Sequence, residues 1–142
     1  MKKILLLLPL LLLALLVGCS KVEVNANMYE IKDWVYEQEV KDYKYEILNT
    51  YEDYQKNQNH DCLHSYEKDY FESNTLILVY LYEHSSGFKW TIKNSYKSGN
   101  TISLEICDES FEVQPMITSS AYCVEVEAKG IKKVEVKRIT KE

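Results

Sequence analysis

The chain has 142 residues, of which 46% are hydrophobic and 27% charged, with only four Gly and two Pro. That is room for one domain rather than two, and it excludes a collagen-like or low-complexity polymer. Seventeen basic residues against 22 acidic ones give a net charge of −5, which argues against nucleic acid as a partner, since Lys and Arg must neutralise its phosphates.

The first eighteen residues stand apart from the rest. Lys2 and Lys3 form a positive n-region, and Ile4 to Val17 is apolar with Pro9 as its one break. Fourteen residues are short of the ~20 a spanning helix needs, so residues 1–18 read as a signal peptide. The run ends Leu15-Leu16-Val17-Gly18-Cys19, which resembles the bacterial lipobox, a small residue before an invariant cysteine. The resemblance implies cleavage before Cys19 and acyl chains (diacylglycerol, palmitate) on its thiol. It places the protein in the bacterial cell envelope. There it sits on the outer face of the cytoplasmic membrane, or in the outer membrane of a cell with two. Two or three acyl chains, at about 0.8 kcal/mol per buried methylene, hold a protein on a bilayer. Losing Lys2 and Lys3 leaves 15 basic against 22 acidic residues, a net −7. That charge argues against electrostatic attachment to anionic lipid and for a covalent tether.

Ser20 to Asn27 lacks an apolar block, so residues 19–27 read as a tether and 28–142 as a single globular domain. In Met28 to Gln38, Ile31, Trp34 and Val35 fall at i, i+3, i+4, which suits a turn or two of helix. Tyr43, Tyr45 and Ile47 suit a strand. Thr50 before Glu52 and Asp53 predicts a capped helix from Tyr51 to about Gln58, and Ser65 to Glu72 a second short one. Leu76 to Tyr82 is continuously apolar, which predicts a central strand buried on both faces. His84 to Gly87 reads as a turn. Phe88, Trp90 and Ile92 alternate with polar residues, Ser98-Gly99-Asn100 marks a hairpin loop, and Ile102, Leu104 and Ile106 pair back. Asp108 to Ser120 looks irregular. Tyr122, Val124 and Val126 form a strand, Lys129-Gly130 turns, and Val134 and Val136 form the last. The sum is α+β: five or six strands in a mainly antiparallel sheet, sandwich or partial barrel, mostly in hairpin order, with one or two short helices near the N-terminal side.

An export signal places the remaining cysteines in an oxidising setting. Cys107 and Cys123 read as wet-face residues of two strands and are candidates for a disulfide; Cys62 with one of them, or all three free, are the alternatives. His60, Cys62 and His64 are the densest group of metal-ligand types, but three ligands on alternate positions of one loop make a poor zinc cage. No hydrolase, zinc-protease or phosphate-loop motif occurs. The expectation is therefore no enzyme, no metal and no cofactor. Twelve tyrosines exceed what a small core takes, and Tyr favours interfaces.

Glu83-His84-Ser85-Ser86-Gly87-Phe88-Lys89-Trp90 resembles the turn of the PrcB carboxy-terminal domain family, bacterial exported proteins named after a subunit of a surface protease complex. The order of elements from Lys44 to Val136, with Gln114-Pro115-Met116 before a strand, is similar too, although the proline before the turn and one of its two glycines are missing. The same turn resembles a loop of chagasin-like cysteine-protease inhibitors, in which three loops at one end of a sandwich enter the protease cleft. The chain lacks that family's Asn-Pro and Arg-Pro pairs and its middle Gly-rich loop. These resemblances imply a membrane-anchored interaction module for a cell-envelope or secreted protease, or else an inhibitor. A small metal-binding or enzymatic envelope protein is the remaining alternative. The expected partner contacts are Ser85, Ser86, Gly87, Phe88, Met116 and Ile117, on two loops that should meet at one end of the sheet.

Overall fold

A computed structural model describes residues 20–31, 42–57, 65–83, 89–110 and 118–140. The strands are β1 (Val22–Glu23), β2 (Ala26–Glu30), β3 (Tyr43–Leu48), β4 (Thr75–Glu83), β5 (Trp90–Ser98), β6 (Thr101–Asp108), β7 (Thr118–Val126) and β8 (Lys133–Ile139). Two short helices, α1 (Tyr51–Lys56) and α2 (Tyr70–Ser73), lie between β3 and β4. The strands form two four-stranded sheets, ordered β1-β5-β6-β8 and β2-β7-β4-β3. All pairings are antiparallel except β6 with β8.

Three layers follow from strand alternation. Side chains two apart share a face, so Ile77, Val79 and Leu81 of β4 meet Tyr122, Val124 and Val126 of β7 on one side of the second sheet. Ile102, Leu104 and Ile106 of β6 close over them from the first sheet. The opposite face of β4, Leu76, Leu78 and Tyr80, packs with Ala121 and Cys123 under Tyr51, Tyr54, Tyr66, Tyr70 and Phe71. This double cover explains why the Leu76–Leu81 run is apolar at every position, each residue at most 4% exposed. Much of the tyrosine surplus lies here: Tyr54 meets Tyr66 edge-on at 5.4 Å and Tyr66 lies 4.7 Å from Tyr70.

The local signals account for the helices. Thr50 accepts from the Asp53 N–H at 3.1 Å and caps α1, and Asn57 ends it by donating to the Asp53 carbonyl. In α2, Asp69 Oδ1 accepts from the Tyr70 N–H. The β5–β6 turn takes Gly99 at φ +57°, a conformation that costs little only without a Cβ.

Three local expectations are corrected. Ser20 to Asn27 is no linker: β1 pairs Val22 with Lys97, and Ala26 pairs with Val126 on the other sheet. The chain steps between sheets at Val24, whose N–H bonds the Ser95 carbonyl at 3.1 Å. The helical spacing from Met28 gives way to a strand, because Met28 and Tyr29 complete the ladder against Val124 and Cys123; Trp34 and Val35 lie outside the described residues. The last strand does not fold back on β7. The 127–132 connection buries Ile131 and carries the chain to the other sheet, where β8 runs parallel to β6. Within β5, a bulge at Lys93 shifts the register between Ile92 and Asn94. It turns Ser95 inward, where its hydroxyl donates to the Val24 carbonyl.

Candidate functional site

The ladder registers place the strand ends that flank both candidate segments at one end of the sandwich. Glu83, which precedes segment 84–88, pairs with Thr118, which follows segment 111–117. Trp90 pairs with Asp108. The roots of 32–41 lie at this end as well: the Ile31 N–H donates to the Ala121 carbonyl, and the Tyr82 N–H to the Asp42 carbonyl. Ser85, Ser86, Gly87, Phe88, Met116 and Ile117 themselves lie outside the described residues.

The roots are fixed by polar contacts. Asp108 Oδ1 accepts from the Lys89 N–H (3.0 Å) and the Ser110 N–H (2.9 Å), while Oδ2 accepts from the Ser110 hydroxyl at 2.7 Å. Lys93 pairs with Glu109, and that carboxylate raises the Lys93 ammonium's pKa. Arg138, near the end of β8, ties the two sheets together. Its guanidinium pairs with Asp42, donates to the Tyr82 carbonyl at 3.2 Å and lies 5.6 Å from the Trp90 ring centroid. Asp42 holds φ +67°, a backbone state that Asp tolerates better than most residues. Sequence reading missed this clasp, because Arg138 sits in a strand whose alternation marks it only as solvated.

The Cys107–Cys123 disulfide does not form: both are buried thiols outside any disulfide. Cys107 lies on β6, on the face opposite Ile102, Leu104 and Ile106, whereas Cys123 lies on β7 under the helical layer. The sandwich core separates them. The wet-face reading fails for both: the helices cover Cys123, and Cys107 is only 2% exposed. Cys19, Cys62, His60, His64 and His84 lie outside the described residues.

Under the helical layer, Tyr66 donates to Glu125 Oε1 at 2.7 Å, and its hydroxyl lies 3.7 Å from Cys123 Sγ. The Tyr70 hydroxyl is buried without a hydrogen-bond partner among the described residues. Burial first, then the neighbouring Cys123 and Glu125, push the Tyr66 and Tyr70 phenols well above their ordinary 10.0. Burial and Glu125 raise Tyr29 as well. These phenols therefore keep their protons near neutral pH, and Tyr66 acts as a fixed donor rather than a base.

No family model, no curated protein and no solved structure matches this chain.

Proposed function

We propose that the protein is an exported lipoprotein and that its domain is an interaction module for a cell-envelope or secreted protease. Acyl chains on Cys19 hold it on the outer face of the cytoplasmic membrane, or in the outer membrane where there are two. The partner docks at the end of the sandwich that carries segments 84–88 and 111–117. The observation that carries the reading is the Leu-Val-Gly-Cys ending, which stands just two residues, Ser20 and Lys21, before β1. Binding residues fit on loops held by a rigid scaffold, and both segments spring from fixed strand ends. The module acts without catalysis, metal or cofactor.

Cys19→Ala tests the anchor, since the processed chain then has no acyl chain to hold it. The variant is expected to be misprocessed or to leave the membrane fraction; full detergent partition with unchanged mobility overturns the reading. Met116→Asp with Ser86→Asp tests the partner end. The pair should keep the thermal melt and lose co-purification of an envelope protease, and unchanged co-purification removes these loops from the account.

One observation favours a second reading, inhibition of a papain-like protease in the manner of chagasin. Three segments, 32–41, 84–88 and 111–117, spring from one end of a two-sheet sandwich. Inhibition of such a protease at micromolar concentration supports this reading, and its absence removes it.

A further inference from the structure

Strand β3 is an outer strand of the second sheet: β4 pairs with one side of it, and among the described residues no strand pairs with the other. The Tyr82 N–H donates to the Asp42 carbonyl, which continues the β3–β4 register by one residue. Backbone groups alternate in direction along an antiparallel ladder. The N–H and C=O groups of Lys44, Glu46 and Leu48 therefore point to β4, and those of Tyr43, Tyr45 and Ile47 point outward. The side chains divide by face as well. Tyr43, Tyr45 and Ile47 are partly buried against the sandwich core. Lys44 and Glu46 lie on the helical side, 3.9 Å apart, with side chains 63% and 33% exposed. The other outer strands differ. β1 has two residues, and β8 carries four charged side chains in seven, a density of charge that resists edge pairing. A copy of β2 turned about Met28 would set Asn27 against Tyr29, with no opposed charge to select that register.

We propose that β3 is the contact between two copies of this chain, paired antiparallel about a two-fold axis at Tyr45. Outward groups must meet outward groups, so Tyr45 of one copy bonds Tyr45 of the other, and Tyr43 bonds Ile47 of the second copy. Every outward N–H and C=O of the strand then has a partner. The same register sets Lys44 opposite Glu46 of the second copy, and symmetry repeats the pair. These are the positions where cross-strand side chains approach most closely. On the core side, Tyr45 meets its copy and Tyr43 meets Ile47, aromatic and β-branched pairs of the kind that stabilise sheets. The neighbouring registers are opposed by charge. Turning the copy about Lys44 sets two lysines against each other, and turning it about Glu46 sets two glutamates. The pairing joins the two copies' β2-β7-β4-β3 sheets into one. It runs along the side of the sandwich and does not depend on the reading of the loop-bearing end.

The test is disulfide cross-linking of the full chain in the cells that express it, read on non-reducing gels. The unsubstituted chain, with its own four cysteines, sets the background. Opposed residues that share no hydrogen bond have Cα atoms about 4.5 Å apart, within disulfide reach. Lys44 and its own copy are diagonal neighbours about 7–8 Å apart, beyond that reach. A chain carrying Lys44→Cys, expressed together with one carrying Glu46→Cys, should therefore cross-link about tenfold more than either alone. Equal yields from mixed and single expression, or none above background, overturn the proposal. So does a cross-link to a different protein with none between copies. Charge gives an independent reading, by energy transfer between labelled copies. Lys44→Glu alone opposes glutamates and Glu46→Lys alone opposes lysines, so each should weaken self-association by about tenfold. Mixed together, the two variants should pair as tightly as the unsubstituted chain, although neither keeps the Lys44–Glu46 contact within its own chain. Undiminished self-association of either variant, or failure of the mixture to pair, overturns the proposal. If a charge variant fails to fold, the cross-link decides alone.

Discussion

Tyr66 shows how a residue that reads as surplus becomes structural. Its hydroxyl is the donor that half-buried Glu125 receives, and hydrogen bonds to a charged group are worth more than neutral ones. Tyr66→Phe should therefore lower stability by about 1–3 kcal/mol in a denaturant melt, since it leaves that carboxylate without its partner. The phenol also sets a pH dependence. Its folded value is raised above 10.0, so its contribution is complete below that value. It is lost as pH rises past it, because the unfolded chain releases a proton that the folded chain keeps. Between pH of about 9 and about 11, the unmodified domain should lose stability more steeply than Tyr66→Phe. Leu78, 1% exposed against the helical layer, gives a plainer test. Leu78→Ala should cost about 2–5 kcal/mol; a loss below about 1 kcal/mol contradicts its packing. Its burial was legible in the unbroken apolar run. The role of Tyr66 was not, because its partner lies 59 residues away.

At the scale of elements, the Arg138 clasp joins β8 to the ends of β3 and β4 across the seam between sheets. Two substitutions at Asp42 separate its parts. Asp42→Gly removes the ion pair and keeps the backbone relaxed, whereas Asp42→Ala also places a Cβ at φ +67°. The alanine variant should be less stable than the glycine variant by about 1 kcal/mol. Equal melting temperatures would mean that the backbone state at Asp42 carries no strain. Elements whose signals are local were readable: the Thr50 cap, the Gly99 turn and the alternation of β6. Those that depend on distant partners were not. Nothing in Lys133–Ile139 distinguishes a parallel neighbour in one sheet from an antiparallel neighbour in the other. The same holds for Val22–Glu23 and Ala26–Glu30, which have too few apolar residues to read as strands and are ordered by the edges they complete. The inserted Lys93 that turns Ser95 inward has no sequence signature either.

Across the whole molecule the two ends differ. One collects the strand ends that carry 32–41, 84–88 and 111–117, and the other collects the start of β1, the Gly99-Asn100 turn and the 127–132 connection. Thr118 to Ser120, which read as irregular, belong to β7, and the common end of the strand ends around 84–88 and 111–117 follows only from the registers. The same topology governs assembly in time. Ala26 pairs with Val126, one hundred residues later in the chain, and β6 waits for the last strand, β8. The earliest and latest segments both finish ladders whose other halves lie elsewhere. A chain emerging from its N-terminus therefore cannot complete either sheet until almost all of it is present. Pairing at such separations places refolding in the range of milliseconds to seconds rather than microseconds. During that interval the strands that end as edges and the strands that end as centres are equally open. Export of the kind proposed above would therefore carry an unfolded polymer.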